Sequence, residues 1–267
     1  LMTLDGDIIH QWYCPRNTAF PDTQRTDSDK KARSFRRAYI VPDSGSPGEL
    51  IGIYNGTGMV RLTYDSRVKW TQSEMCHHDL GFSEDGSKLF TFIQTKRLVP
   101  VVNPDEPVMD EFIATVDIAS GNVLDRVSLL DAFHRSSYAP MLKKIPASGD
   151  VLHANTIHSV TVAQAERIAF LEPNDLLISM RNMDAIAVYR PMQKRIIWAM
   201  TGFWMAQHEP SILSNGHFLL FDNVGEQGHS KVVEFNPMTQ EIVWMYDGTE
   251  SDPLYSTTSG ACHRLSN

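Results

Sequence analysis

One pattern governs what this chain can fold into: an apolar strand, a polar turn and a second strand that tends to end on tryptophan. It recurs in "LMTLDGDIIHQW", "VRLTYDSRVKW", "FIATVDIASGNVLDRVSL", "IAVYRPMQKRIIWAM" and "KVVEFNPMTQEIVWMYDG". Each of these reads as a β-hairpin. Ahead of the last three lies a further strand pair, in "HHDLGFSEDGSKLFTFI", in "NTIHSVTV" with "NDLLISMR", and in "HEPSILSNGHFLLFDN". Four short strands per repeating unit is the sequence signature of a propeller blade. The apolar run Phe218 to Phe221, bounded by Asn215-Gly216 and Asp222-Asn223, reads as a buried strand between two turns.

Spacing supports this reading. Trp198 and Trp244 stand 46 positions apart in equivalent places, close to the length of a four-stranded blade. Trp12 and Trp70 are expected to be equivalents too, separated by a longer polar segment from Arg16 to Arg36. A blade cannot bury both faces alone, so large apolar side chains at a fixed place in each repeat are expected to pack against the neighbouring blade. Residues 1 to 14 are read as the outer half of one blade, four blades follow, and "GACHRLSN" is read as the start of another, with Ser266-Asn267 matching Ser214-Asn215. The expectation is an all-β fold, a single six-bladed β-propeller domain over residues 1–267, with the C-terminal part of the ring missing from this chain. The 267 residues, 42% of them hydrophobic, are enough for a full core.

Charge and composition narrow the partners. With a formal net charge of −8 and no basic run beyond "DKKARSFRR", the chain lacks the cationic stripe that binds a phosphate backbone, so no nucleic-acid partner is expected. No apolar stretch is long enough for a membrane span. Cys14, Cys76 and Cys262 lie far apart without a CxxC pair, which indicates neither a disulfide framework nor a zinc knuckle. Oligomeric state and localisation are not legible in the residues.

Within the repeat, histidines recur in register. His78 lies seven residues before Asp85-Gly86, and His208 lies seven before Asn215-Gly216. Counting back seven from Asn267 reaches Gly260, so the scaffold itself does not demand a histidine there. In the blade between, "LHANTIHSVTV" offers His153 at the start of the innermost strand. Three such histidines from consecutive blades would converge near the axis, with either His77 or His78 facing it. Arg181 follows the apolar run "DLLISM" at a strand end, where a guanidinium must meet an anion or pair with Asp184 or another acid. Beside histidines it suits a tetrahedral anionic group, because its fork of donors matches two oxygens. His158, His217 and His229 read as rim or packing residues.

The strings "CHHDLGFSEDG", "LHANTIHSV", "LLISMRNMDAIAVY" and "QHEPSILSNGHFLLFDN", taken in order, resemble those of the aryl sulfotransferase family. These are bacterial enzymes on a six-bladed β-propeller that move a sulfuryl group between phenols without a nucleotide donor. The resemblance implies that His208 is the nucleophile, carrying the group as a sulfohistidine. It implies that His78, His153 and Arg181 support it, and that His77, Asn155 and Glu209 contact substrate. Glu209 stands where the family usually has aspartate. The resemblance further implies aryl sulfate and phenol as small-molecule substrates, no cofactor, and a periplasmic or secreted location. Two other readings fit the same residues. Three histidines with Glu209, Asp79 or water would suit a metal-dependent hydrolase or lyase, and the ring would also suit a non-catalytic ligand-binding propeller.

Overall fold

The computed structural model describes residues 1–22, 34–42, 44–45, 48–225 and 229–265. Within them, sixteen strands make four antiparallel sheets, each of four strands consecutive in sequence. The first sheet holds β1 (Arg37–Ile40), β2 (Leu50–Tyr54), β3 (Gly58–Leu62) and β4 (Val68–Gln72). The second holds β5 (Cys76–Phe82), β6 (Lys88–Val99), β7 (Asn103–Asp117) and β8 (Val123–Ser128). The third holds β9 (Ala154–Ser159), β10 (Leu176–Met180), β11 (Ala185–Arg190) and β12 (Arg195–Thr201). The fourth holds β13 (His208–Ile212), β14 (Phe218–Asp222), β15 (Lys231–Phe235) and β16 (Ile242–Tyr246). The chain is mostly β, and no sheet closes into a ring. No helix among the described residues is long and apolar enough to cross a membrane.

Strand composition explains the layering. The second strands β2, β10 and β14 are buried at every position, and apart from Asp222 at the end of β14 both faces carry apolar or small residues. Their packing produces three inter-sheet cores. Ile51, Ile53 and Met59 meet Leu80, Leu89 and Val116 between the first and second sheets. Phe92 and Ile113 meet Ile157 and Ile178 between the second and third. Leu177 and Val188 meet Phe218 and Phe235 between the third and fourth. The first strands of successive sheets lie side by side, β1 by β5, β5 by β9 and β9 by β13. The approach of β5 to β9 is close enough that a Cβ at Gly81 would stand 2.8 Å from the Ile157 carbonyl oxygen. Only glycine fits there.

The tryptophans follow the repeat in three sheets. Trp70, Trp198 and Trp244 pair with Arg61, Val188 and Glu234, each beside a register shift between the third and fourth strands. Trp70 donates to the Ile118 carbonyl of the second sheet at 2.9 Å. Trp198 stacks on Phe170 and meets the edge of Phe218 in the fourth sheet. Trp244 is 42% exposed, with the Arg264 guanidinium 4.9 Å from its ring centre. In the second sheet Asp125 takes the same ladder position and pairs with Lys194 of the third sheet at 2.7 Å, a polar contact in place of an aromatic one.

Two expectations are corrected. Residues 1–14 do not supply half a sheet. They form one isolated bridge, Met2 to Ile8, and the segment folds back on itself through the terminal amine and the His10 carbonyl. Without a neighbouring strand the alternating pattern has no ladder to join, and Trp12 packs on the side of the first sheet and is not an equivalent of Trp70. Residues 259–265 form no strand, and Ser266-Asn267 lie outside the described residues. Part of the polar segment from Arg16 to Arg36 also lies outside them.

Candidate functional site

The starts of β5, β9 and β13 depart from regular pairing. The ladder shifts between His77 and Leu80, at the β9 partner of Ser179 and Met180, and between His208 and Ser211. Three non-glycine residues there have left-handed backbones: His78 (φ 58°), His153 (φ 52°) and Glu209 (φ 51°). Such conformations are uncommon for residues with a side chain, and bulges of this kind re-aim side chains at the rim of a sheet. His78 consequently lines a pocket of about 350 Å³ together with His208, Glu209 and Asn155. His77 is not among the lining residues and is 2% exposed. His153 stands against His78, ring centres 4.7 Å apart. His78 and His208 share the pocket, and His153 touches His78 without being among its lining residues.

Each imidazole is held through Nδ1. His208 Nδ1 lies 2.6 Å from Asn223 Oδ1 and 3.0 Å from the Ala206 carbonyl. The Asn223 amide nitrogen donates to the carbonyls of Ser256 and Ser259, which fixes its oxygen toward His208. Facing two acceptors, His208 Nδ1 carries the proton, and Nε2 keeps its lone pair. His153 Nδ1 lies 2.6 Å from Asp150 Oδ2. His78 Nδ1 lies 2.6 Å from Nδ1 of His77.

Burial sets the protonation. It pushes the His78 imidazole down to about 2, with the positive charges that His77, His153, Arg36 and His208 would carry acting in the same sense. Burial likewise lowers His208; the bonds to Asn223 and Ala206 oppose it, while Arg181 and His153 reinforce it. Both rings are neutral at physiological pH. Burial would raise Asp150, but its hydrogen bond from His153 and the charge beside it win, and it is held below its ordinary value.

Cations surround these rings. Arg36 and Arg37 line the pocket. Arg181 opens a short 3-10 turn directly after β10, its backbone N–H on the His153 carbonyl at 3.0 Å and its guanidinium on Asn182 Oδ1 at 3.2 Å. No carboxylate lies within ion-pair distance of it among the described residues. Asp184, a candidate partner by sequence, instead accepts the Ala206 N–H. Asn155 lines the pocket but spends its amide nitrogen on the Gln207 carbonyl at 2.8 Å. Ser259, Gly260 and Ala261 close one side. A Cβ at Gly260 would stand 2.2 Å from the Phe221 ring, so a side chain there would require that ring to shift.

The sequence reading did not single out Arg37. From β1 it donates to Asp79 Oδ1 at 3.2 Å and pairs with Glu209 Oε2. Asp79 is fully buried and also accepts from the Tyr39 hydroxyl at 2.8 Å and the Ile157 N–H at 3.1 Å. The Glu209 N–H donates to Thr156 Oγ1 at 3.0 Å. First strands of all four sheets are thus tied at one point. Burial alone would weaken the charged form of Arg37, but Asp79 and Glu209 more than offset it and hold it above its ordinary value. Among the described residues no group of three or more His, Cys, Asp or Glu side chains is disposed to hold a metal ion.

His78, His153, Arg181, His208 and Glu209 fall inside the segment matched by a family model, whereas Arg36 and Arg37 precede it. Residues 53–267 match the model described as "Arylsulfotransferase (ASST)", most of the chain. The chain belongs to the arylsulfotransferase family. Among curated proteins none matches in sequence. Solved structures resemble it at the level of fold. One is the hydrazine synthase of Kuenenia stuttgartiensis, with a TM-score of 0.51 at 10% identity, over 84% of this chain and 51% of that one. The Dos1 propeller matches with a TM-score of 0.46 at 10% identity over 74% and 44%. The WD40 β-propeller domain of Doa1 matches with 0.40 at 11% over 83% and 71%. The chain spans about half the length of the first structures it resembles, between 44% and 57%. Family membership associates the chain with sulfotransferase activity at the level of the family.

Proposed function

We propose that this arylsulfotransferase-family chain moves a sulfuryl group from an aryl sulfate to a phenol through a sulfohistidine on His208. The observation that carries the reading is the bonding of His208: Nδ1 is spent on Asn223 and Ala206, leaving a neutral ring with its Nε2 lone pair in a pocket rimmed by arginines. Nε2 attacks sulfur, the N–S bond forms, and the S–O bond to the aryl group breaks to release a phenolate. The acceptor oxygen then attacks the same sulfur, the N–S bond breaks, and His208 is regenerated. Covalent catalysis divides one difficult transfer into two displacements. Arg181 and Arg36 supply fixed positive charge to the sulfuryl oxygens. The four sheets are read as part of one propeller ring of about six. The exposed face of β16, where Trp244 occupies the position at which Trp70 and Trp198 meet the next sheet, supports that reading.

The test is steady-state turnover of 4-nitrophenyl sulfate with and without a phenolic acceptor. Acceptor-dependent release of nitrophenol, abolished in His208→Ala, supports transfer. Release that continues at the same rate without acceptor would point to hydrolysis.

A further inference from the structure

Behind the pocket, two buried groups remain that the scheme above does not use. His77 is 2% exposed and Glu111, on β7, is fully buried. Glu111 Oε1 accepts from the Gln94 side-chain amide at 3.0 Å and from the Ala154 N–H at 3.2 Å. Its Oε2 lies 2.7 Å from His77 Nε2. Three N–H groups thus converge on this carboxylate, and it accepts from all of them. Because His77 Nε2 carries the proton it gives to Glu111, Nδ1 of the neutral ring is an acceptor. The contact of 2.6 Å between the Nδ1 atoms of His77 and His78 then requires a proton on His78 Nδ1. One carboxylate therefore fixes two tautomers in series, and His78 is left with its Nε2 lone pair toward the pocket.

We propose that His77 and Glu111 are positioning residues that hold His78 as the base for the acceptor phenol, a reading that rests on the proposed sulfuryl transfer. As the phenol oxygen attacks sulfur, its proton passes to His78 Nε2. The proton on His78 Nδ1 moves to His77 Nδ1, and the positive charge comes to rest on His77, whose Nε2–H stays on Glu111. The reverse sequence returns that proton to the phenolate released from the next donor. The arrangement keeps charge off the ring that stands beside His153 and places it against a carboxylate.

Glu111→Gln tests this. The amide oxygen keeps the Gln94 and Ala154 donors, so its NH2 faces His77 Nε2. His77 must then accept at Nε2 and carry its proton on Nδ1, which drives the His78 proton to Nε2. Long-range proton–nitrogen correlation spectra of 15N-histidine-labelled protein read the tautomer directly, with His78 assigned by its loss in His78→Gln. The expected result is Nδ1–H in the wild type and Nε2–H in Glu111→Gln. It should be accompanied by a fall in kcat for 4-nitrophenyl sulfate and phenol of roughly 10²-fold, with little change in acceptor KM. Nε2–H in the wild type overturns the proposal, and this measurement stands even if the variant fails to fold. A reversed tautomer with kcat unchanged overturns it as well. A wild type with Nδ1–H that turns over no aryl sulfate would instead sink sulfuryl transfer, because the spectrum needs no substrate.

Discussion

His208 can serve as a nucleophile only while Nε2 is unprotonated, so the acid limb of its activity should report its shifted equilibrium. Burial first, then Arg181 and His153, lower it from the ordinary histidine value, and the bonds to Asn223 and Ala206 only partly offset them. The acid limb of kcat/KM is therefore expected below about pH 6.5; a limb at or above that value would contradict the assignment. The sign for stability is the same. His78, held at about 2 when folded, binds a proton more readily in the unfolded chain, so stability is full above about 6.5 and falls as pH drops below it. Thermal midpoints between roughly pH 6.5 and 5 should decline less steeply in His78→Gln than in the wild type. Removing the tautomer anchor with Asn223→Ala should lower kcat by about 10²-fold or more, since a misplaced ring proton disables a catalytic imidazole. His78, His153 and His208 were legible because each stands at a countable distance from a turn or strand start. Asn223, Glu111 and Arg37 were not. Their partners lie 15, 34 and 172 residues away, and no local pattern announces such pairings.

At the scale of elements, the hairpins of residues 60–70, 112–129, 186–200 and 231–246 form where alternation and turn residues place them. In the preceding turns, between β5 and β6 and between β13 and β14, Gly86 and Gly216 adopt positive φ with their N–H groups on the carbonyls of Ser83 and Leu213. Residues 1–12 carry the same local pattern and do not become part of a sheet, because a strand also needs a partner edge, which periodicity does not encode. The close approach of β5 and β9 is a second feature invisible in pattern alone. Gly81→Ala sets a Cβ 2.8 Å from the Ile157 carbonyl, and backbone cannot yield as a flexible side chain does. It is expected to cost about 1–3 kcal/mol, read as a lower urea midpoint. Gly260→Ala presses on Phe221 and displaces the segment whose Ser256 and Ser259 carbonyls hold Asn223. Activity is expected to fall about tenfold or more, in keeping with the sensitivity of catalysis to small misplacements; unchanged turnover would show that the 259–261 segment does not shape the pocket.

For the whole molecule, the junction of Arg37, Asp79 and Glu209 joins the four sheets through their first strands. Arg37→Ala leaves Asp79 buried with only Tyr39 and Ile157 as partners, a loss of about 3 kcal/mol by comparison with other broken buried pairs, measurable by urea unfolding. The same junction makes one wall of the pocket, so fold stability and site geometry share residues there. The central claim concerns chemistry in that pocket. It is tested most directly by mixing the protein with an aryl sulfate in the absence of acceptor, quenching within one turnover and mapping the mass of one sulfuryl group to a peptide. The account predicts that group on the peptide bearing His208, absent in His208→Ala and discharged by added phenol. Rapid sulfate release with unmodified His208 throughout would contradict it.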